Sequence, residues 1–201
     1  MTNPYATTIG HPGRRFSPTG LSAAGGALGF YQLGLVADKR FYSLGAIESM
    51  SLAKAQIGKC GELLVQYQLL LLGIESAPMS TDTGIDLVTY SPRLPHPITV
   101  QVKTNLKSKP GGGTGKHALD WWVPNDSPAH YVALVDLSSQ STWFMSPAEL
   151  LVHAQQQPAG RLHIYMYTDP SVRPRRSDRL AHIHEFEQFL LSNRASMIYG
   201  T

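Results

Sequence analysis

The chain has 201 residues, 42% of them apolar and 15% charged, and a formal net charge of +3. That composition excludes a chain disordered throughout, and its single cysteine, Cys60, excludes an intrachain disulfide or a cysteine-built zinc site and points to a reduced, cytosolic setting. The basic excess is mild and accommodates a nucleic-acid partner without requiring one. Its distribution says more, with Lys103, Lys107, Lys109 and Lys116 in one group and Arg173, Arg175, Arg176 and Arg179 in another.

Residues 1–49 differ from the rest and are expected to form a Gly-rich accessory arm, leaving 50–201 as the folded domain. An uncharged run, Gly20 to Ala37, follows Arg14-Arg15 in a manner superficially like an export signal or a membrane span. Its glycines, with Ser22 and Gln32, leave it poorly hydrophobic, so no membrane association is expected. Met50-Ser51-Leu52-Ala53-Lys54 reads like a natural protein start, and every residue with chemical promise follows it.

Between Ala53 and Leu72, Ile57, Cys60, Leu64, Tyr67 and Leu71 recur at three- and four-residue spacing, which predicts a helix with those side chains on its buried face and Gly73 as its C-terminal stop. Ile85–Tyr90 and Ile98–Thr104 are strand-like, and the three prolines between them mark the loop of a hairpin. Alternation along the second strand places Ile98, Val100 and Val102 on one face and Thr99, Gln101 and Lys103 on the other, with Asp86 able to join the polar face.

A Gly- and Lys-rich loop is expected over Lys107–Lys116. Its Gly115-Lys116 pair invites a phosphate-loop reading, but Pro110 stands where the first glycine is required and His117 where Ser or Thr is required, so no nucleotide cofactor is expected. Further strands are predicted at Tyr131–Leu137, Thr142–Met145 and Leu162–Tyr167. Ser146-Pro147-Ala148-Glu149 is a capping box with proline at the first helical position, opening a short helix to about Ala154. An amphipathic helix is predicted over Ile183–Arg194, and the order of elements describes a mixed α/β domain. Trp121 and Trp122 read as core residues more readily than as base-stacking platforms, and His182 and His184 as surface residues more readily than as metal ligands.

Taken singly, Glu62, Asp86, Gln101 and Lys103 are ordinary exposed residues. Together, a helical Gly61-Glu62, a Gly84-Ile85-Asp86-Leu87 strand and a Gln101-Val102-Lys103 strand form a combination that resembles the PD-(D/E)xK nuclease superfamily, especially its Holliday-junction-resolvase, Mrr and intron-homing-endonuclease branches. The likeness is close over Lys54–Thr104 and holds only in element order beyond. It implies a restriction-endonuclease-like core, a central mixed β-sheet flanked by helices. It further implies a metal-dependent DNA endonuclease, acting on duplex or branched DNA as a homodimer, with Mg²⁺ as cofactor and Mn²⁺ as the alternative.

The family's roles then fall on Glu62, Asp86, Gln101 and Lys103 as catalytic residues, with Glu62, Asp86, Gln101 and the main-chain carbonyl of Val102 as metal ligands. Lys107, Lys109, Lys116, Arg175 and Arg176 are expected to contact the nucleic acid. Gln101 departs from the commoner Glu and removes one negative charge, which leaves open the number of metals bound. The competing expectation is a binding module that keeps the fold but has lost turnover.

Overall fold

A computed structural model of the chain describes residues 52–81, 83–174 and 178–200. The expectations for residues 1–49, for a start at Met50 and for Arg175 and Arg176 lie outside these residues.

Helix α1 spans Lys54–Leu71. It stops as expected at Gly73, whose φ of 75° suits glycine alone among common residues. The N–H groups of Gly73 and Ile74 return to the carbonyls of Leu70 and Leu69, both at 3.0 Å, which satisfies two of the orphan acceptors at the helix end.

The buried face of α1 is not the expected one. Gly61, Val65 and Leu69 are buried, whereas Cys60 and Leu71 are exposed and Tyr67 is 58% exposed. Apolar residues occupy nearly every position from Leu63 to Leu72, so spacing alone supports several faces. The choice falls on the row that carries the glycine, because α1 approaches the sheet too closely for a side chain there. A Cβ on Gly61 would lie 1.9 Å from Thr104 Oγ1.

The strands are β1 (Glu75–Pro78), β2 (Leu87–Tyr90), β3 (Ile98–Asn105), β4 (Lys109–Pro110), β5 (His117–Pro124), β6 (Tyr131–Asp136), β7 (Ser141–Met145) and β8 (Arg161–Tyr167). Five of them form a mixed sheet in the order β1-β2-β3-β6-β7, in which only β3 and β6 run parallel. The expected hairpin is its β2–β3 pair, with Leu87 opposite Val100. The other three form a small antiparallel sheet, β4-β5-β8.

Helix α2 (Pro147–His153) opens on the predicted capping box: Ser146 Oγ accepts from the Glu149 N–H, and Glu149 Oε2 accepts from the Ser146 N–H at 2.8 Å. The predicted last helix is two pieces, a 3₁₀ stretch over Ile183–Phe189 and helix α3 over Leu191–Tyr199. Leu190 separates them in an extended conformation, bridged to Trp143 of β7.

Strand alternation gives the main sheet two apolar faces. Val100, Val102, Ala133, Val135 and Phe144 pack with Val65 and Leu69 of α1 and with Ala195 and Ile198 of α3. Val132, Leu134, Trp143 and Met145 pack instead with Leu119, Trp121, Ile164 and Met166 of the small sheet and with Phe186 and Phe189. The domain is thus a mixed α/β structure with a central mixed sheet flanked by helices.

The two tryptophans divide. Trp121 is core, edge-on to Trp143 at 5.9 Å, whereas Trp122 is 41% exposed and stacks on His163 at 4.0 Å with 6° between the rings. The histidines divide too: His184 is exposed, but His182 is buried, with Nε2 2.8 Å from the Val172 carbonyl.

Candidate active site

The antiparallel pairing of β2 with β3 is registered as far as Leu87–Val100, and the Asp86 N–H still reaches the Val100 carbonyl at 2.9 Å. Beyond that point a side chain takes over from the backbone. Asp86 Oδ2 accepts the Val102 N–H at 2.5 Å, a charge-assisted bond that fixes the carboxylate beside the middle of β3.

Gln101 directly precedes Val102, whose N–H holds this carboxylate. It is 4% exposed, and its Oε1 is buried without a hydrogen-bond partner among the described residues. A buried amide oxygen left unpaired costs about 1–3 kcal/mol, so such an atom calls for an explanation. The backbone of Gly84 closes on the same side chain: a Cβ there would stand 3.7 Å from Gln101 Nε2 and 3.1 Å from Pro128 Cδ.

Lys103 shares the Gln101 face of β3 by alternation, since their partners on β6, Val132 and Leu134, both belong to the core beneath the small sheet. It is half-buried and makes no ion pair among the described residues. Glu62 reaches the same end of β3 from the other layer, one residue along α1 from the Gly61–Thr104 contact. Its Oε2 is held by Lys59 Nζ at 2.8 Å. The donors that these elements carry are all oxygen: the Asp86 carboxylate tied to β3, the Gln101 amide oxygen and Val102 main-chain carbonyl of β3, and the Glu62 carboxylate of α1, which packs on the opposite face of the sheet from Gln101. Such a set suits a hard divalent cation that keeps several waters. Among the described residues there is no cluster of three or more His, Cys, Asp or Glu side chains that would make a richer site.

One group near this face was not singled out in the sequence. His130, just before β6, closes on Thr99 of β3, with Nδ1 2.6 Å from Thr99 Oγ1 and its N–H donating to the same oxygen at 3.1 Å. Nothing in its spacing marks it, because the loop that brings it there is set by the β5–β6 connection.

The expected nucleic-acid contacts are distributed unevenly. Lys107 is exposed just after β3; Lys109 stands on β4 and pairs with Asp120 at 3.2 Å; Lys116 is exposed before β5. Lys109 and Lys116 border a cavity on the outer face of the small sheet, together with Asp120, His163, Tyr165 and Tyr167. Sequence reading passed over those residues, although the alternation Arg161-Leu162-His163-Ile164-Tyr165-Met166-Tyr167 does signal a strand with a polar-aromatic outer face.

No family profile matches the chain, and no curated protein matches it. Among solved structures, it is similar to a bacterial homing endonuclease, with a TM-score of 0.50 and 14% identity over 75% of this chain and 94% of that one. The likeness is one of fold. No helix among the described residues is long and apolar enough to cross a membrane.

Proposed function

We propose that the chain is a metal-dependent DNA endonuclease of the PD-(D/E)xK kind, in a variant with Gln at the second acidic position. The observation that carries this reading is the buried Oε1 of Gln101, without a hydrogen-bond partner among the described residues, on the strand whose next N–H, that of Val102, holds the Asp86 carboxylate; a cation near both would satisfy that oxygen. The fold shared with a homing endonuclease supports it.

In this reading Asp86, Gln101 and the Val102 carbonyl hold one Mg²⁺, with Mn²⁺ as the alternative. When bound, it neutralises charge on the phosphate and acidifies water. The chain's own groups do the rest. The Val102 N–H keeps Asp86 in one orientation. Lys103 donates to the phosphate oxygens, where charge grows as water adds to phosphorus and the alkoxide leaves. Glu62 supplies the second carboxylate near the attacking water. Its pair with Lys59 does not trap it, because the Lys59 side chain is 53% exposed and such pairs are worth about 0–1 kcal/mol. Cutting both strands of a duplex or a junction then calls for two copies of the site, and a homodimer supplies them most simply.

The test is cleavage of plasmid and of branched DNA with Mg²⁺, with EDTA, and by Asp86→Ala. Cleavage by the wild type that Asp86→Ala and EDTA both abolish is expected; equal cleavage by wild type and variant sinks the assignment of Asp86. The second reading, a binding module without turnover, is favoured by the neutral amide of Gln101 at the position where the family commonly has a carboxylate. It predicts that the wild type binds DNA and leaves it intact in Mg²⁺ and Mn²⁺ alike.

A further inference from the structure

The outer face of the small sheet carries a row of aromatic rings. Trp122 stacks on His163 at 4.0 Å, and the row continues through Tyr165 at 5.5 Å, Tyr167 at 5.3 Å, His182 at 5.9 Å and His184 at 5.5 Å, each measured from the ring before. Cross-strand aromatic pairs also stabilise sheets, and the row alone would say no more than that. Here, however, part of the row forms one wall of a cavity of about 670 Å³, lined by His163, Tyr165 and Tyr167. Three cations, Lys109, Lys116 and Arg173, line the same cavity against one carboxylate, Asp120. Asp120 is already engaged by Lys109 at 3.2 Å and lies 3.5 Å from His163 Nε2; Lys116 and Arg173 are the cavity's other cations, with the Asp169 carboxylate outside the lining in electrostatic reach of Lys116.

Ring faces beside cations, in a concave site on a sheet, match the two demands of an unpaired nucleotide: a flat apolar surface for the base and positive charge for the phosphate. A regular duplex offers only the second, because its bases are stacked on one another. We propose that this outer face binds unpaired nucleotides of a DNA strand, bases against Tyr165 and Tyr167 and phosphates against Lys116 and Arg173. As a statement about the nuclease's substrate it rests on the reading above, and it selects DNA with a single-stranded or branched segment. The chain links the two places: β3, which carries Gln101 and Lys103, runs on into the loop and strand that bear Lys109, and Asn105 at the end of β3 donates to the Asp120 carbonyl at 2.7 Å.

The experiment measures binding of a fluorescein-labelled 12-nucleotide oligothymidylate, and of a duplex of equal length, to the full chain in EDTA over a range of salt. The wild type should bind the single strand at least fivefold more tightly than the duplex. Lys116→Ala/Arg173→Ala should reduce the slope of log affinity against log salt by about 1.4, two contacts at about 0.7 each. Tyr167→Leu should weaken binding about fivefold or more with the slope unchanged, as expected for loss of one stacked base. Because Trp121 and Trp143 are buried, quenching of tryptophan emission by the oligonucleotide should come from Trp122 and disappear in Trp122→Phe. Melting curves identify any variant that fails to fold, in which case the quenching of the wild type decides.

No binding of the oligothymidylate, a preference for the duplex, or equal affinities for wild type and folded Tyr167→Leu each overturn the proposal. The two readings fail separately. A wild type that binds the strand but cuts no DNA loses the nuclease and keeps the aromatic site; one that cuts duplex DNA and ignores the strand does the reverse.

Discussion

Gln101 concentrates the chemistry of the candidate site in one side chain. Its buried oxygen has no hydrogen-bond partner among the described residues, and the N–H of the next residue, Val102, holds the Asp86 carboxylate. Restoring a negative charge at this position should tighten cation binding. Gln101→Glu is therefore expected to lower the Mg²⁺ concentration for half-maximal cleavage about tenfold, and an unchanged midpoint in a Mg²⁺ titration would argue that the residue does not face the cation. That Gln101 and Lys103 share one face of β3 was legible in the sequence because a polar residue at every second position interrupts an otherwise apolar strand, whereas the bond from the Val102 N–H to Asp86 was not. The tie between Glu62 and Lys59 was partly legible: three-residue spacing permits the pair, but the orientation of the helix decides whether it forms.

Elements meet at two contacts that carry clear consequences. The first is Gly61 against Thr104, where an added Cβ would lie 1.9 Å from Oγ1, 2.8 Å from Cγ2 and 2.9 Å from Cβ of the threonine. Turning the threonine side chain relieves only part of this, so Gly61→Ala should cost about 1–3 kcal/mol of packing, more than the roughly 1 kcal/mol that alanine returns in helix propensity. Urea unfolding should show the net loss, and Thr104→Ala in the same chain should recover most of it.

The second contact joins α3 to the start of α2. Arg194, buried, donates to the Phe144 carbonyl at 2.7 Å and to both oxygens of Glu149 at 2.8 and 2.9 Å. Burial pushes the Glu149 carboxyl upward, but the bonds from Arg194 and Ser146 outweigh it and hold the group below its ordinary value of 4.5. A folded value below the unfolded one gives stability that is present above pH 4.5 and lost as pH falls through the folded value. Urea midpoints taken from pH 6 down to pH 3 should therefore fall more steeply in the wild type than in Glu149→Gln.

Sequence periodicity found the hairpin, β6, β7, β8 and the capping box of α2, each of which states its own pattern. It missed β1, β5 and the two-residue β4 inside the expected Lys107–Lys116 loop. Glu75-Ser76-Ala77-Pro78 has no β-branched residue and is a strand only because β2 lies beside it, and Asp120 interrupts β5 where a strand signal would otherwise have run. The break at Leu190 was hidden for the same reason, since a bridge to Trp143 overrides a helical pattern.

Across the described domain, the main sheet is shared by both apolar clusters, so neither can melt while the other keeps its backing. Tryptophan emission, which reports the cluster containing Trp121 and Trp143, and far-ultraviolet circular dichroism should follow one urea transition; separated midpoints would show that the small sheet unfolds independently. The strand pairing has a second outcome. Two neighbouring parallel strands need a crossover, usually a helix, yet between β3 and β6 the chain passes through β4 and β5 of the small sheet. The segment that closes the parallel pair is thus also the segment that presents Lys109 and Lys116 to the outside. Lengthening or exchanging the Lys107–Lys116 loop should change the charge the molecule presents there and leave the strand bearing Gln101 and Lys103 in place, which makes this crossover a natural graft point.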